Sequence, residues 1–285
     1  MSTTTGTDAV TDGSKPHPKD SYTHGHHDSV LRSHRWRTAE NSASYLLPHL
    51  REGLSVLDVG CGPGTITVDL ARTVGPGVVT GIDTSTAVLE QARATAANQG
   101  VRNVEFVEAD VYDLPFEDGS FDIVHAHQVL QHLSDPVAAL REIRRVTRPG
   151  GLVAVRDADY AAMAWYPELQ ELTEWNELYH EVAAANGAQP DAGRRLVSWV
   201  RAAGFADEAI TASAGVWCYA SEADRAWWGD LWAERCLSSQ FGLQARATGL
   251  ADDVALEEIA RGWRQWAQDE DGWFSITHGE VLARA

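Results

Sequence analysis

Cysteine is scarce in this sequence, with only Cys61, Cys218 and Cys236 among 285 residues. Three cysteines at such wide spacing exclude a disulfide framework and a cysteine zinc site. Basic residues are also few, because 23 Lys and Arg face 41 Asp and Glu and leave a formal net charge of −18. A surface of this sign repels nucleic-acid phosphates and anionic lipid, so we expect neither nucleic acid nor membrane as a partner.

Long apolar runs are missing as well, and no stretch reaches the length of a membrane span. The N-terminus has no basic segment followed by an apolar one, as a secretory signal would. Together with the few cysteines, these features favour a cytoplasmic protein. Residues 1–20 contain almost no large apolar side chain, and we expect them to form a disordered tail.

A glycine-rich turn is the most informative stretch of the chain. Val56–Val59 is apolar enough for a short buried strand, and Thr65–Val74 has the apolar spacing of a helix. Gly60, Gly62 and Gly64 lie between them and allow the backbone to approach a ligand closely. In a parallel α/β sheet such a turn lies at the carboxyl end of the strand, where ligands bind. Exposed N–H groups at the following helix start favour negatively charged groups.

A second predicted strand, residues 78–83, ends in Asp83. A carboxylate at this position can accept both hydroxyls of a ribose that lies across the first turn. The glycine pattern is G-x-G-x-G, and Thr65 occupies the place of the third glycine in the dinucleotide fingerprint. The glycine turn alone could be structural, but the pair favours a nucleoside-type cofactor.

Four ordered motifs resemble those of the class I S-adenosylmethionine (SAM) methyltransferases. They are Leu57–Gly64 (LDVGCGPG), Gly81–Asp83 (GID), Glu108–Asp110 (EAD) and Arg148–Gly151 (RPGG). The resemblance implies an α/β, Rossmann-like, seven-stranded sheet and SAM as the cofactor. SAM carries a net positive charge, so the acidic surface does not oppose its entry.

The resemblance also implies roles for particular residues. Asp83 is expected to bind the ribose, Asp110 the adenine amino group and the Val111 N–H the adenine ring. Arg37 or Arg35 is expected to pair with the cofactor's carboxylate, with a solvated helix face as an equal alternative. The cofactor-binding residues expected are Asp58, Gly60, Gly62, Gly64, Thr65, Asp83, Thr84, Asp110, Val111, His127 and Arg37.

Composition and motif order predict the layout of the chain. Residues 21–52 are expected to form an N-terminal helical lid, and residues 53–220 the SAM-binding core with a helical insertion at 160–190. Residues 205–212 and 216–220 are predicted to be the closing antiparallel strands. Residues 221–285 are predicted to be a folded helical extension, because seven of the 11 tryptophans lie from Trp217 onward and need burial.

Candidate catalytic residues are Tyr22, His127 and His132. The histidines follow the fourth predicted strand, beside the expected position of the reacting methyl group, and a structural role is at least as good an interpretation for them as general-base catalysis. The three histidines within residues 22–27 are interpreted as part of a polar loop over the cofactor, and no metal site is expected. We expect Tyr22, Trp165, Tyr166 and Trp175 to line the acceptor pocket.

Further stretches narrow the acceptor. Residues 37–43, 125–132 and 190–194, with 271–274 and 278–280, resemble the small-molecule thiol methyltransferases of the gliotoxin-capping type, close to the ubiquinone/menaquinone C-methyltransferases. S-methylation of a reduced dithiol metabolite in microbial secondary metabolism is therefore the expected activity. C- or O-methylation of a quinol or phenol is the alternative, and a non-catalytic SAM-binding module is the alternative of another class. The sequence leaves a homodimer open.

Overall fold

The computed structural model describes residues 28–285, with side chains from residue 32 onward. The predicted tail, residues 1–20, and the predicted site residue Tyr22 lie outside the described residues, as do the three histidines of the N-terminal loop.

Ten helices and eight strands make up the described part of the chain. The helices are α1 Asp28–Arg35, α2 Ala39–Ser42, α3 Thr65–Val74, α4 Thr86–Asn98, α5 Pro136–Val146, α6 Gln170–Ala185, α7 Leu196–Ala202, α8 Glu222–Ser238, α9 Gln240–Ala247 and α10 Asp253–Gln268. The strands are β1 Val56–Val59, β2 Val79–Asp83, β3 Val104–Glu108, β4 Phe121–His127, β5 Thr147–Ala158, β6 Ala164–Tyr166, β7 Ile210–Tyr219 and β8 Trp273–Arg284.

One mixed sheet contains all eight strands. Strands β3, β2, β1, β4 and β5 lie side by side in this order and run parallel. Strand β8 is antiparallel to its neighbours: it pairs with β5 and then β6 along one edge, and with β7 along the other. The α/β fold predicted from the sequence is confirmed, with the short strand β6 in addition to the seven strands expected.

The parallel strands place their carboxyl ends at one edge of the sheet. All four residues of β1 are buried, because helices cover both faces of a parallel sheet. Local signals set the helix starts: the Ser85 hydroxyl accepts from the Val88 N–H, and the Asp135 carboxylate accepts from the Ala138 N–H with Pro136 in the first helical turn. The segments that follow β1, β2 and β4 therefore meet at one edge.

The prediction of the closing strands is wrong. The structure has one strand, β7, where two were expected, and its partner β8 comes from the last residues of the chain. Helices α8 to α10 are therefore an insertion between the last two strands, and the end of the predicted helical extension is a strand inside the sheet. The polar run His278–Gly279–Glu280 interrupts the apolar pattern of β8 and hides the strand from sequence reasoning.

Tryptophan-rich packing holds this helical insertion to α6. Trp175, Trp232, Trp263 and Trp266 are completely buried. The ring of Trp175 meets those of Trp232 and Trp263 edge to face, with centroids 4.5 and 4.8 Å apart, which is a favourable geometry for aromatic pairs. Among the described residues, no helix is both long and apolar enough to cross a membrane.

Candidate functional site

A cavity of about 790 Å³ opens at the carboxyl edge of the parallel strands. Its walls come from the ends of β1 to β4, from the N-terminal segment and from β7 and α8. The predicted cofactor residues that line it are Arg37, Asp58, Gly60, Gly62, Thr65, Asp83, Thr84, Asp110, Val111 and His127. The structure thus brings together in one cavity ten of the side chains and loop positions expected from the sequence.

The glycine turn fits tightly into its surroundings. Gly60 and Gly62 have φ angles of 64° and 55°, in the left-handed region that favours glycine. A Cβ at Gly60 would lie 2.5 Å from the side chain of Val129. Gly64 does not line the cavity: a Cβ there would lie 2.9 Å from that of Ala92, so this glycine allows α3 and α4 to pack closely. Its predicted contact with the cofactor is corrected to a packing role.

Asp83 faces the glycine turn from the end of β2. One carboxylate oxygen accepts from the Gly62 N–H at 3.2 Å and the other from the Ser85 N–H at 3.0 Å. These bonds hold the carboxylate across the mouth of the turn. Its place and chemistry fit a ribose diol.

Asp58 has a different environment, at the end of β1. It is almost completely buried, and its two carboxylate oxygens contact the Nδ1 of His125 at 2.8 Å and the Thr67 hydroxyl at 2.6 Å. Strand β4 and helix α3 thus hold Asp58 in place. The arrangement suits a structural residue that holds the end of β1 in place, next to the glycine turn.

The end of β3 supplies the next part of the cavity wall. The Asp110 carboxylate accepts from the Tyr112 N–H at 3.0 Å, and this turn places Asp110 and Val111 on the cavity surface. A carboxylate acceptor beside a backbone N–H has the chemistry needed to recognise an adenine edge.

Cys61 also lines the cavity, but its side chain stays protonated and is therefore a poor nucleophile. Burial, together with the nearby carboxylates of Asp58 and Asp83, raises the pKa of its thiol well above the usual value. A neutral, buried cysteine acts as a small hydrophobic side chain.

His127 and His132 both lie on the cavity wall. Burial and the neighbouring cation of Arg156 lower the pKa of His127 well below its ordinary value. Burial and the charge of Arg37 lower the pKa of His132 to about 3. Both imidazoles are therefore neutral at physiological pH. A group with so low a pKa is a weak proton acceptor.

Gln128 follows β4 directly and connects three elements. Its φ of 54° is left-handed, which is uncommon for a residue other than glycine. Its Oε1 accepts a hydrogen bond from the Arg37 guanidinium, and its Nε2 lies 2.8 Å from the Nε2 of His278 on β8. Burial and the charge of Arg156 lower the pKa of His278 well below its usual range. The neutral ring can then accept from the Gln128 amide, which leaves the Gln128 oxygen for Arg37.

Trp217 on β7 lies between two cations. The guanidinium carbons of Arg37 and Arg156 are 5.7 and 4.8 Å from its ring centroid. Arg156 is buried and bonded to Glu280 at 3.1 Å, and the Trp217 N–H donates to the Asn41 carbonyl at 2.6 Å. These contacts join the N-terminal segment to the far strands of the sheet.

A wall of aromatic rings continues from Trp217. The centroid of Trp36 is 5.2 Å from that of Trp217, and that of Tyr219 is 4.4 Å from that of Trp228. We call this set the aromatic wall; its members are Trp36, Trp217, Tyr219, Trp227, Trp228 and Trp232. The sequence predicted burial for the tryptophans from Trp217 onward and no cavity role for Trp36 or Tyr219, because no local pattern separates a cavity-facing aromatic residue from a buried one.

The predicted acceptor residues that fall among the described residues do not line the cavity. Trp175 is completely buried in the helical core, Trp165 packs on Phe274, and Tyr166 is an exposed surface residue. The prediction is corrected because α6 faces α8 and α10, and it is α8 that faces the cavity. Of the two candidate arginines, only Arg37 reaches the cavity, whereas Arg35 contacts Gln91 at 3.4 Å.

No group of three or more potential metal ligands is arranged to hold a metal ion within the described residues.

Comparison with known proteins supplies an independent view of the chain. Residues 50–212, more than half of it, match the family described as "Methyltransferase domain". An uncharacterized methyltransferase of Schizosaccharomyces pombe is 37% identical over 94% of this chain and 98% of its own length. A protein of Aspergillus luteorubrus, described as a probable methyltransferase, is 31% identical over 92% and 96%. A demethylmenaquinone methyltransferase of Lactococcus lactis is 40% identical, over 42% of this chain and 48% of its own.

Solved structures agree on the fold. The YcgJ protein of Bacillus superposes with a TM-score of 0.57 at 19% identity, over 91% of this chain and 98% of that one. A phosphoethanolamine N-methyltransferase of Haemonchus contortus, solved with S-adenosylhomocysteine, has a TM-score of 0.52 at 20% identity, over 82% and 49%. At these identities the likeness concerns the fold alone.

Proposed function

This chain belongs to the methyltransferase domain family, and from that premise we propose that it S-methylates small-molecule thiols, in particular both thiols of a reduced dithiol. Its cofactor is S-adenosyl-L-methionine, which supplies an electrophilic methyl group on a sulfonium sulfur. The activity as a SAM-dependent methyltransferase follows from the family, whereas the thiol acceptor is our proposal.

The cavity residues fit this cofactor. Asp83 is held across the glycine turn by two backbone N–H groups and would hold the ribose. Asp110 and Val111 would recognise the adenine, and Arg37 would pair with the carboxylate. These groups bind and orient the cofactor, and none of them reacts.

The observation that carries the thiol proposal is the lack of a competent base among the described residues of the cavity's reacting end. His127 and His132 have lowered pKa values, and both carboxylate oxygens of Asp58 are bonded to neighbours. A phenol, with a pKa of about 10, needs a base at neutral pH, whereas a thiol, with a pKa of about 8.5, is already partly ionised.

The aromatic wall suits the same reaction. The acceptor thiol gives its proton to solvent, and its sulfur forms the new S–C bond as the methyl–sulfonium bond breaks and leaves its electron pair on the cofactor sulfur. The products are a methyl thioether and S-adenosylhomocysteine, so the charge on both partners disappears. Apolar rings that exclude water favour such a loss of charge.

Ring methylation of a quinol is the second candidate. It is supported by the similarity to a demethylmenaquinone methyltransferase over 42% of the chain. It would require a proton acceptor for the quinol hydroxyl, and the low pKa of both cavity histidines disfavours it.

The test compares a thiol with its oxidised form and with an acceptor that would be methylated at carbon or oxygen. The protein is incubated with SAM and one of three compounds: dithiothreitol, the cyclic disulfide of dithiothreitol, or a menaquinol analogue. The masses of the products are measured by mass spectrometry. We expect a gain of one and two methyl groups on dithiothreitol and none on the disulfide. Methylation of the quinol without methylation of any thiol would overturn the proposal.

A further inference from the structure

We propose that Arg235 on α8 is a recognition site for an anionic substituent of the acceptor, such as a carboxylate, remote from the thiol that reacts. This inference rests on the proposed thiol methylation and names the class of acceptor that the cavity selects.

Negative and positive side chains lie on opposite sides of the cavity. The acidic residues among its described lining lie in the last residues of β1, β2 and β3 or just after them: Asp58, Asp83, Glu108 and Asp110. On the other side of β4, where β7 and α8 form the wall, the charged lining residue is Arg235, and Arg37 lies between the two halves. In a chain with a net charge of −18, a cationic acceptor half is the reverse of what composition alone predicts.

Arg235 is built into the wall. Its side chain is buried although it faces the cavity. Its Nη2 donates to the Ser33 hydroxyl of α1 at 2.7 Å, and its guanidinium carbon lies 4.9 Å from the centroid of Trp232. These contacts hold the guanidinium between helix α1 and the aromatic wall.

The charge of Arg235 acts on the acceptor half. Burial raises the pKa values of Tyr160 and Tyr219, and the positive charges of Arg235 and Arg37 oppose that increase at both hydroxyls. Both tyrosines line the cavity. Arg235 lines the same cavity as these two tyrosines.

Burial makes this cation selective. The Coulomb attraction between a guanidinium and a carboxylate is stronger in a site shielded from water than at an exposed surface. The rings of Trp36 and Trp227, which line the same cavity and keep part of their surface exposed, offer apolar faces to a planar acceptor body. Arg37, bonded to Gln128 next to β4, stays at the reacting end. The preferred acceptor is thus a thiol with an apolar, aromatic-sized body and an anionic group away from the sulfur.

The test uses two aromatic thiols of nearly equal size, 4-mercaptobenzoate and 4-mercaptobenzamide, at pH 8, where both thiols are ionised. We expect the intact protein to methylate the benzoate with the higher kcat/KM. Arg235→Gln should lower kcat/KM for the benzoate by about 10- to 100-fold and leave that for the benzamide nearly unchanged. Arg235→Lys, which keeps the charge, should retain part of the preference.

Two control variants separate recognition from structure. Ser33→Ala removes one hydrogen bond that orients the guanidinium but keeps the cation, and it should reduce the preference less than Arg235→Gln does. Arg261→Gln removes the same charge from an exposed position of α10 and should also retain it. No preference in the intact protein, or equal loss with both thiols in Arg235→Gln, would overturn the proposal.

Binding of the methylated product gives a readout that does not depend on catalysis. Binding of 4-(methylthio)benzoate, followed by tryptophan fluorescence, should weaken in Arg235→Gln, whereas SAM binding should not. If neither thiol is methylated but this binding difference persists, the thiol chemistry fails and the anion site stands. If Arg235→Gln weakens SAM as much as the benzoate, Arg235 belongs to the cofactor site and our inference is wrong.

Discussion

Asp83 illustrates how one residue connects fold and binding. Its carboxylate closes the mouth of the glycine turn through the N–H groups of Gly62 and Ser85. Removal of the carboxylate leaves both donors and the ribose hydroxyls without this partner. We expect Asp83→Ala to weaken SAM binding by about 1–3 kcal/mol, measured by calorimetry.

Two variants sharpen this measurement. Asp83→Asn keeps one acceptor oxygen and should lose less affinity than Asp83→Ala. Glu90→Gln changes an exposed carboxylate on the neighbouring α4 and should leave SAM binding unchanged. Unaltered affinity in Asp83→Ala would remove Asp83 from the site.

His127 and His132 distinguish positioning from base catalysis. Both are neutral because burial and nearby arginines lower their pKa values. We expect His127→Gln and His132→Gln to lower kcat/KM by less than about tenfold, because the loss of a general base costs about 10²-fold or more. Steady-state kinetics with a thiol acceptor gives the answer, and a loss of that larger size would identify the affected histidine as the base.

Single residues also show where sequence reasoning fails. Asp83, Gly60 and Gly62 were predicted because their types and spacing follow from the strand–turn–helix geometry, and all three line the cavity. Gln128 was missed as a connecting residue: its left-handed φ and its bond to His278, 150 positions away, have no local signature. Trp217 and Trp228 were recognised as aromatic but not as cavity-facing, since tertiary packing decides which side of a ring is covered.

At the level of elements, the order of strands decides how the site is built. The first five strands follow each other with regular apolar patterns, and the sequence predicts them well. Strand β8 pairs with β5, about 120 residues away along the chain, and its polar centre resembles a loop. Its buried polar residues His278 and Glu280 serve Gln128 and Arg156, so function accounts for the pattern that misled the prediction.

Gly279 tests the placement of β8. A Cβ there would overlap the backbone carbonyl of Gly193, which cannot move aside as a flexible side chain would. We expect Gly279→Ala to reduce the free energy of unfolding by about 1–3 kcal/mol or more, seen as a lower midpoint in urea.

The control stays on the same strand. Thr277→Val alters a half-buried residue whose hydroxyl makes one long bond of 3.5 Å to the Ala162 carbonyl, and it should change stability less. If Gly279→Ala were as stable as the intact protein, β8 would not pack against residue 193 as described.

For the whole molecule, buried ionisable groups govern stability against pH. Burial raises the pKa of Asp157 to about 8, so from pH 4 to pH 8 the folded state holds a proton that the unfolded chain releases, and stability falls as pH rises. The cavity histidines act in the opposite sense, because below pH 6.5 the unfolded chain takes up protons that the folded state refuses. Between pH 6.5 and 8 the contribution of the cavity histidines fades, and the Asp157 carboxyl lowers stability as pH rises.

Asp157→Asn should therefore flatten the decrease of Tm between pH 6.5 and 8. The exposed substitution Asp113→Asn should leave the slope of the intact protein unchanged. Thermal unfolding at closely spaced pH values measures both, and an unchanged slope in Asp157→Asn would show that this carboxyl is already ionised.

The central claim is that the protein orients an acceptor thiol which ionises by itself, without a base from the chain. The most direct measurement is kcat/KM against pH for a series of thiols with different intrinsic pKa values, from 4-nitrothiophenol to an alkyl thiol. Because kcat/KM reports ionisations of the free reactants, we expect the rising limb to move with the pKa of each acceptor. A limb at one fixed pH for every thiol, or no limb at all, would contradict the account and assign the proton transfer to the protein.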